Sequence, residues 1–292
     1  MTSRPQTIAV TGAAGMVGRH LISALTKSGF VCVPISRLQW DLRAWKSVGE
    51  LDDIFGAASS VVHAGAMVPV SGQAASSKDL FDANVRSTLC LGEWCLARER
   101  SLVLISGATV YASPLAIGIK ETAALTTRPT SGFYGLTKLL AEQVLGPMTD
   151  SGLRVAVLRP SSVYGAGIPQ SRMIGSWLAK ASKNADIELK PPIDEKINLL
   201  HASDLADAVV GVLETGAWDT FNVAAAEASS VEDIAKTCIS IIGKGRLIYA
   251  SDANGNPITR YQLDCSKAAA AFHFRQKIGL VEGLRRTWSN QF

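Results

Sequence analysis

The sequence predicts an α/β protein in which a doubly wound parallel sheet carries a smaller C-terminal α+β lobe. Two patterns carry that expectation. Up to about residue 160, short strands that are apolar throughout alternate with amphipathic helical stretches, the βαβ rhythm of a parallel sheet covered on both faces. Beyond Arg159 the rhythm breaks at the turn-rich SSVYGAGIPQ and again at KPPIDEK, where regular structure gives way.

The strands expected in order are Thr7 to Thr11, Val31 to Ile35, Ser60 to His63, Leu102 to Ser106 and Arg154 to Leu158. Between them, Met16 to Thr26, Lys78 to Arg98 and Gly135 to Leu145 have helical periodicity. DTFNVA has the composition of a late strand returning to the main sheet. The implied division is a dinucleotide-binding unit over 1–165, completed by about 199–225, with 166–198 and 226–292 forming a substrate-binding lobe.

Bulk properties narrow the function. The 292 residues are 47% hydrophobic and 18% charged, with a net charge of +4, which is ordinary for a globular protein. Lys and Arg are scattered rather than gathered in runs, which argues against nucleic acid and suits a small anionic substrate. The five cysteines, Cys32, Cys90, Cys95, Cys238 and Cys265, form no CxxC pair, and the four histidines form no ligand-like cluster. Reduced thiols and no metal are expected. The start MTSRPQTIAV has no long apolar signal region, and no stretch reaches the roughly 20 apolar residues of a membrane span. A cytoplasmic protein without a membrane partner is expected.

The first strand runs into Gly12-Ala-Ala-Gly15-Met16-Val-Gly18 and then a helix. Glycines there permit a tight turn and let the backbone approach a pyrophosphate, whose charge meets free N–H groups at the helix N-terminus, as in a Rossmann dinucleotide site. After the second strand, an NAD site usually has an acid for the ribose hydroxyls. Ser36 and Arg37 stand there instead, and an arginine can pair with a 2′-phosphate, so NADP is preferred over NAD. Asp41 could accept from the adenine amino group or cap the next helix. In VVHAGA the small residues Ala64, Gly65 and Ala66 stand where the cofactor would pass, and Asn84 is taken to open the helix NVRSTLCLGEW. His63 reads as a structural histidine at a strand end.

Tyr134 and Lys138, in YGLTK, sit one turn apart on one face of a helix start. A free phenol has a pKa of about 10, and a nearby ammonium and a cationic nicotinamide both favour the phenolate, so Tyr134 can exchange a proton with a substrate oxygen.

Through TGAAGMVG, VVHAGA, SGATVYA, YGLTK, LRPSSVYG, LLHASDLADAVV and FNVA the chain resembles the extended short-chain dehydrogenase/reductase family, which includes nucleotide-sugar epimerases, dehydratases and reductases. The resemblance implies that Tyr134 is the general acid/base, that Lys138 binds the nicotinamide ribose, and that Gly12, Gly15 and Gly18 form the pyrophosphate turn. It also implies a Ser or Thr just after the fourth strand, where this chain has Gly107. Thr109 is the favoured substitute and Ser106 the alternative. Dehydratases of the family resemble one another in an Asp-Glu pair where Ala108 and Thr109 stand here, which argues against dehydration. The Cys and His pair that the resemblance associates with bifunctional epimerase/reductases is missing too. Reduction of a keto-sugar nucleotide, 4-epimerisation with a retained cofactor, and a non-catalytic dinucleotide sensor remain, with hydride transfer favoured by Arg37. Arg172 and Arg260 are candidates for a diphosphate clamp or for surface ion pairs, and Asp204 for a helix cap. Apolar residues along NVRSTLCLGEW and LTKLLAEQVL suggest a homodimer built on two helices from each copy.

Overall fold

The computed structural model describes residues 6–69, 75–190, 192–250 and 260–290. The chain alternates β1 (Thr7–Thr11), α1 (Met16–Lys27), β2 (Val31–Ile35), α2 (Val48–Phe55), β3 (Ser60–His63), α3 (Ser77–Phe81), a π-helical turn (Asp82–Arg86), α4 (Ser87–Ala97) and β4 (Ser101–Ile105). A 3-10 turn (Ala108–Val110) and β5 (Ile117–Ile119) lead to α5 (Gly132–Asp150) and β6 (Arg154–Pro160). Next come β7 (Ser162–Tyr164), α6 (Met173–Ser182), β8 (Asp186–Leu189), β9 (Lys196–Ile197), β10 (Leu199–His201), α7 (Ala202–Thr215) and β11 (Thr220–Val223). The rest comprises β12 (Ser229–Ser230), α8 (Val231–Ile242), β13 (Arg246–Tyr249), β14 (Gln262–Leu263), α9 (Ser266–Phe272) and α10 (Leu280–Ser289).

The main sheet has the order β11-β6-β4-β3-β1-β2, and every pairing in it is parallel. Its apolar strands feed two cores by alternation: Ile8, Val10, Val62, Val103 and Ala156 face one side, while Ala9, Val61, Leu102, Leu104 and Val157 face the other. Helices α1 and α7 cover the first face, and α2, α4 and α5 cover the second. That two-sided burial is why the strands read as continuous apolar runs. DTFNVA does return to this sheet, its Thr220–Val223 pairing with β6.

A third core holds Trp177, Leu178, Ile187, Ile234, Cys238 and Leu284 between α6, β8, α8 and α10. Beyond residue 226 the chain is divided between cores, because Ala268, Phe272 and Phe274 pack with Phe221 against the main sheet. The segment around α9 therefore sits with the sheet, whereas the sequence division assigned it to the second lobe.

Local differences have local causes. Helix α5 runs past Leu145 through Pro147 to Asp150, although Gly146-Pro147 reads as a stop. Asn84 does not open a helix: the helical segment starts at Ser77, and Asn84 lies in the π-helical turn inside it. Helix α2 is closed by a capping box in which Ser47 and Glu50 satisfy each other's backbone N–H groups. Asp41 therefore does not cap it. Asp204 is not the cap of α7 either, since the His201 side chain accepts from Ser203 N. Instead Asp204 accepts from the N–H groups of Lys277 and Ile278 at 2.9 and 3.1 Å, tying the C-terminal segment to α7.

Candidate active site

The glycine turn is shaped by close backbone approach. Gly12 has φ +68°, and a Cβ there would lie 2.6 Å from Gly65 Cα, a clash with backbone that cannot yield. Gly15 caps α1 without a side-chain partner, so the first N–H groups of the helix stay free. Gly18 brings α1 against Gly12 and Ala13, since a Cβ there would lie 2.6 Å from Ala13 Cα. Met16 starts the helix and packs its side chain against the third core. The cradle thus fits a pyrophosphate, and a substituent at Gly12 would fill it.

A cleft of about 340 Å³ extends from this turn and is lined by Gly12, Gly15, Ser36, Arg37, Asp41 and Arg43, with Ala64, Gly65 and Ala66 on its other wall. Asp41 sits between two guanidinium groups: Arg37 Nη2 lies 3.3 Å from its Oδ2 and Arg43 Nη2 lies 2.7 Å from it. Hydrogen bonds from Arg43, and then the Arg37 charge, hold the Asp41 carboxyl well below the usual carboxylate range. Arg43 also reaches a second carboxylate, its Nη1 lying 3.7 Å from Asp79 Oδ2, so the two guanidinium groups are matched by two carboxylates and Arg37, 74% exposed, is the freer of the two. Sequence reading missed Arg43, because its position two residues beyond Asp41 carries no pattern until the turn folds it back.

His63 is buried, with Nδ1 2.6 Å from Thr11 Oγ1 and Nε2 3.4 Å from Ser87 Oγ. Burial, then repulsion from Lys138, pushes its pKa down to about 3. It is a neutral strut. Asn84 is also fully engaged: its Oδ1 accepts from Met67 N at 2.7 Å, and its Nδ2 donates to Met67 O and Thr137 Oγ1, each at 3.0 Å. Asn84 thereby holds the loop after β3, which lines the cleft, against the helix of Tyr134.

Tyr134 and Lys138 lie on the first turns of α5. Lys138 is buried, and its Nζ donates to Ile105 O at 2.7 Å. Burial lowers its pKa to about 8, opposed by the Glu142 carboxylate. Tyr134 is half-buried, and desolvation raises its pKa, opposed by the charge of Arg172. In the protein alone the phenol is therefore held neutral, where sequence reasoning expected neighbouring charge to favour the phenolate. Arg172, at the N-cap of α6, donates from Nη2 to Pro69 O at 3.0 Å and lies near enough to Tyr134 for its charge to act on the phenol. Arg260 is joined to Asn198 through its backbone carbonyl. Among the described residues neither arginine forms an ion pair.

Behind Lys138 lies a network that sequence reading also missed. Arg159 Nη2 meets Glu142 Oε2 at 2.6 Å, with side chains only 7% and 5% exposed. Ser106 Oγ donates to Glu142 Oε1, and Arg159 Nη1 donates to Tyr111 Oη at 3.1 Å. Tyr111 in turn donates to Asn222 Oδ1 at 2.6 Å. Glu142 stands one turn beyond Lys138 on the same face; an acid at that spacing on a buried helix face was the available signal. Gly107 has no side chain, and Thr109 Oγ1 instead pairs with Ser131 Oγ. Among the described residues no helix is long and apolar enough to cross a membrane, and no cluster of metal-ligating side chains occurs.

With this geometry in hand, comparison with known proteins is specific. The model of the NAD dependent epimerase/dehydratase family matches residues 8–224. A dTDP-4-dehydro-6-deoxy-D-allose reductase from Streptomyces bikiniensis is 28% identical, over 97% of this chain and 95% of its own. A UDP-glucose 4-epimerase from Azospirillum brasilense is likewise 28% identical, over 96% and 88%. Among solved structures, MoeE5 in complex with UDP-glucuronic acid and NAD superposes with a TM-score of 0.81 at 25% identity, covering 97% of this chain and 98% of that one.

Proposed function

Since the chain belongs to the NAD dependent epimerase/dehydratase family, we propose that it is a hydride-transferring enzyme acting on a keto or hydroxyl carbon of a nucleotide-linked sugar, with NADP as its preferred cofactor. The observation that carries the chemistry is the pairing of a neutral, half-buried Tyr134 with a buried Lys138 on α5, beside a glycine turn built for a pyrophosphate. A bound nicotinamide supplies the hydride. Tyr134 Oη gives its proton to the substrate oxygen as that oxygen gains charge, which requires the neutral phenol that burial maintains. Lys138 presents its ammonium to the nicotinamide ribose and stays anchored on the Ile105 carbonyl. Gly12, Gly15, Met16 and Gly18 form the pyrophosphate turn: the glycines let the backbones close up, with the Gly15 N–H bonded to Gly12 O, and the N–H groups at the start of α1, from Met16 on, meet the charge. Ala64, Gly65 and Ala66 form the opposite wall, and Asn84 keeps that wall in register.

The preference for NADP rests on Arg37 and Arg43, which flank the cleft where a 2′-phosphate would sit. Asp41 orients both guanidinium groups, and its assignment to the cofactor is through them, since both of its oxygens accept from arginine. Reduction is favoured over 4-epimerisation because Arg37 and Arg43 suit an exchangeable NADPH rather than a retained NAD. The 4-epimerase of equal identity supports the second reading. One assay separates them: NADPH oxidation by a dTDP-4-dehydro-6-deoxyhexose, run beside conversion of UDP-glucose to UDP-galactose with NAD. Turnover of neither substrate sinks both.

We assign cofactor binding to 1–165 with about 199–225, and sugar recognition to 166–198 and 226–292 apart from the α9 segment, which packs on the main sheet; residues 191, 251–259 and 291–292 of that lobe lie outside the described residues. A homodimer is proposed across α4 and α5. Most apolar side chains of α4 face the core, yet Leu89, Leu96, Leu136 and Leu140 remain only partly covered. Sedimentation showing monomer alone at micromolar concentration removes it. Five free cysteines fit a reducing compartment, so we place the enzyme in the cytoplasm; recovery in another cell fraction would contradict this.

A further inference from the structure

Gly107 occupies the place after β4 where a catalytic hydroxyl is expected by resemblance. Nothing in the backbone demands glycine there. Its φ of 177° is extended, open to any residue, and a Cβ would meet nothing closer than Thr109 Cγ2 at 3.8 Å. Ser106 cannot replace the missing group, because its hydroxyl is committed to Glu142 inside the buried network. Thr109 Oγ1 is the remaining hydroxyl, and it is bonded to Ser131 Oγ at the N-cap of α5. Both oxygens press on Gly135, where a Cβ would lie 2.7 Å from Thr109 Oγ1. Gly135 directly follows Tyr134, so the two hydroxyls stand at the helix turn that carries the phenol.

We infer that Ser131 and Thr109 work as one unit in place of the missing side chain at position 107, with Ser131 donating to Thr109 Oγ1 and Thr109 donating its own proton to the substrate oxygen that Tyr134 protonates. This rests on the reading of Tyr134 as proton donor. A hydroxyl has one proton and two acceptor sites, so only this polarity leaves the Thr109 proton for substrate. Accepting from Ser131 also polarises the bond that Thr109 makes. Ser131 is exposed and can accept from water while it donates. Ser131 is thus a positioning residue, and Gly135 is glycine because the pair needs its space.

The test uses the full-length enzyme, with a dTDP-4-dehydro-6-deoxyhexose and NADPH as probe, or UDP-glucose and NAD if only that pair turns over. Thr109→Val should lower kcat about 10²-fold, as for loss of a preorganised donor. Ser131→Ala should lower kcat by about tenfold with KM within about twofold, because the interaction is made in the transition state. NADPH and UDP affinities, read by calorimetry, should not move. Combining the two substitutions should be no worse than Thr109→Val alone, and Ser131→Thr should retain wild-type turnover. Gly107→Ser in the Thr109→Val background should recover at least about tenfold, since a hydroxyl is restored at the family's own position. Multiplying losses in the double variant, a loss in KM alone, or no recovery through Gly107→Ser overturns the inference. Full activity in Tyr134→Phe instead condemns the reading beneath it.

Discussion

The two ends of the proposed cofactor site hold their charges in opposite ways. At the adenosine end, Arg37, Asp41 and Arg43 form pairs at the surface, with the Arg37 side chain 74% exposed. At the reaction end, Lys138, Glu142 and Arg159 are buried; Lys138 is bonded to Ile105 O, and Glu142 and Arg159 are joined to Ser106, Tyr111 and Asn222. Exposed pairs contribute little to stability because water already solvates each member. Buried ones cannot lose a member without leaving an uncompensated charge. Selectivity can therefore be altered at the first end at little structural expense, while the second end is bound up with the fold itself.

The largest effect expected from this contrast follows Arg159→Met. Glu142 would remain buried with Ser106 as its hydrogen-bond partner and only the Lys138 charge nearby, which should cost about 3–5 kcal/mol of unfolding free energy. Urea denaturation measures it. A loss below about 1 kcal/mol would mean that the pair is hydrated, as surface pairs are, and would erase the contrast. The opposite experiment, Arg37→Ala, should leave the urea midpoint nearly where it was.

How much of each end was legible in the sequence follows the same line. The glycine turn and YGLTK are local patterns whose function depends on neighbours along one turn or one helix, so Gly12, Gly15, Gly18, Tyr134 and Lys138 could be singled out before any fold was known. Arg159 could not, and Glu142 only by its spacing from Lys138. Their meaning depends on Ser106, Tyr111 and Asn222, which come from just after β4, just after the 3-10 turn and from β11, and meet only when the parallel sheet is assembled. Asn84 shows an intermediate case: the residue was singled out, but the π-helical turn that aims it at Met67 and Thr137 has no sequence signature. The α9 segment was assigned to the wrong neighbours because an Ala-rich stretch fits either core.

The second expected effect is on pH dependence, and it splits activity from stability. Lys138 has its pKa lowered from 10.5 to about 8 by burial. The unfolded chain therefore binds more protons between those values, and this group's contribution to stability rises with pH across that window. Below about 8 the burial penalty on the ammonium is fully present. Catalysis needs the charged form, so kcat/KM should fall above about pH 8 while the thermal midpoint gains from this group. Comparison with Lys138→Met isolates the stability slope. A kcat/KM that stays level to pH 10.5 would show the ammonium to be as well solvated as a surface lysine.

The smallest effect should come from Arg37→Asp, and it tests whether the exposed end is a selectivity device. The substitution removes a cation and adds an anion beside Asp41, so that Arg43 is left facing Asp41, Asp79 and the new carboxylate. Loss of a charge-assisted phosphate contact should weaken NADP by about 1–3 kcal/mol. NAD carries no 2′-phosphate and should lose much less. Arg43 is the reason the loss should stay in that range, since its Nε and Nη2 remain bonded to Asp41 and still face the cleft. Arg37→Asp with Arg43→Ala should accordingly cost NADP more than either change alone. Titration of both cofactors against the three variants gives the answer. Equal losses for NAD and NADP would mean that the arginines only hold Asp41 in place, and that the surface end supports the cleft without choosing between cofactors.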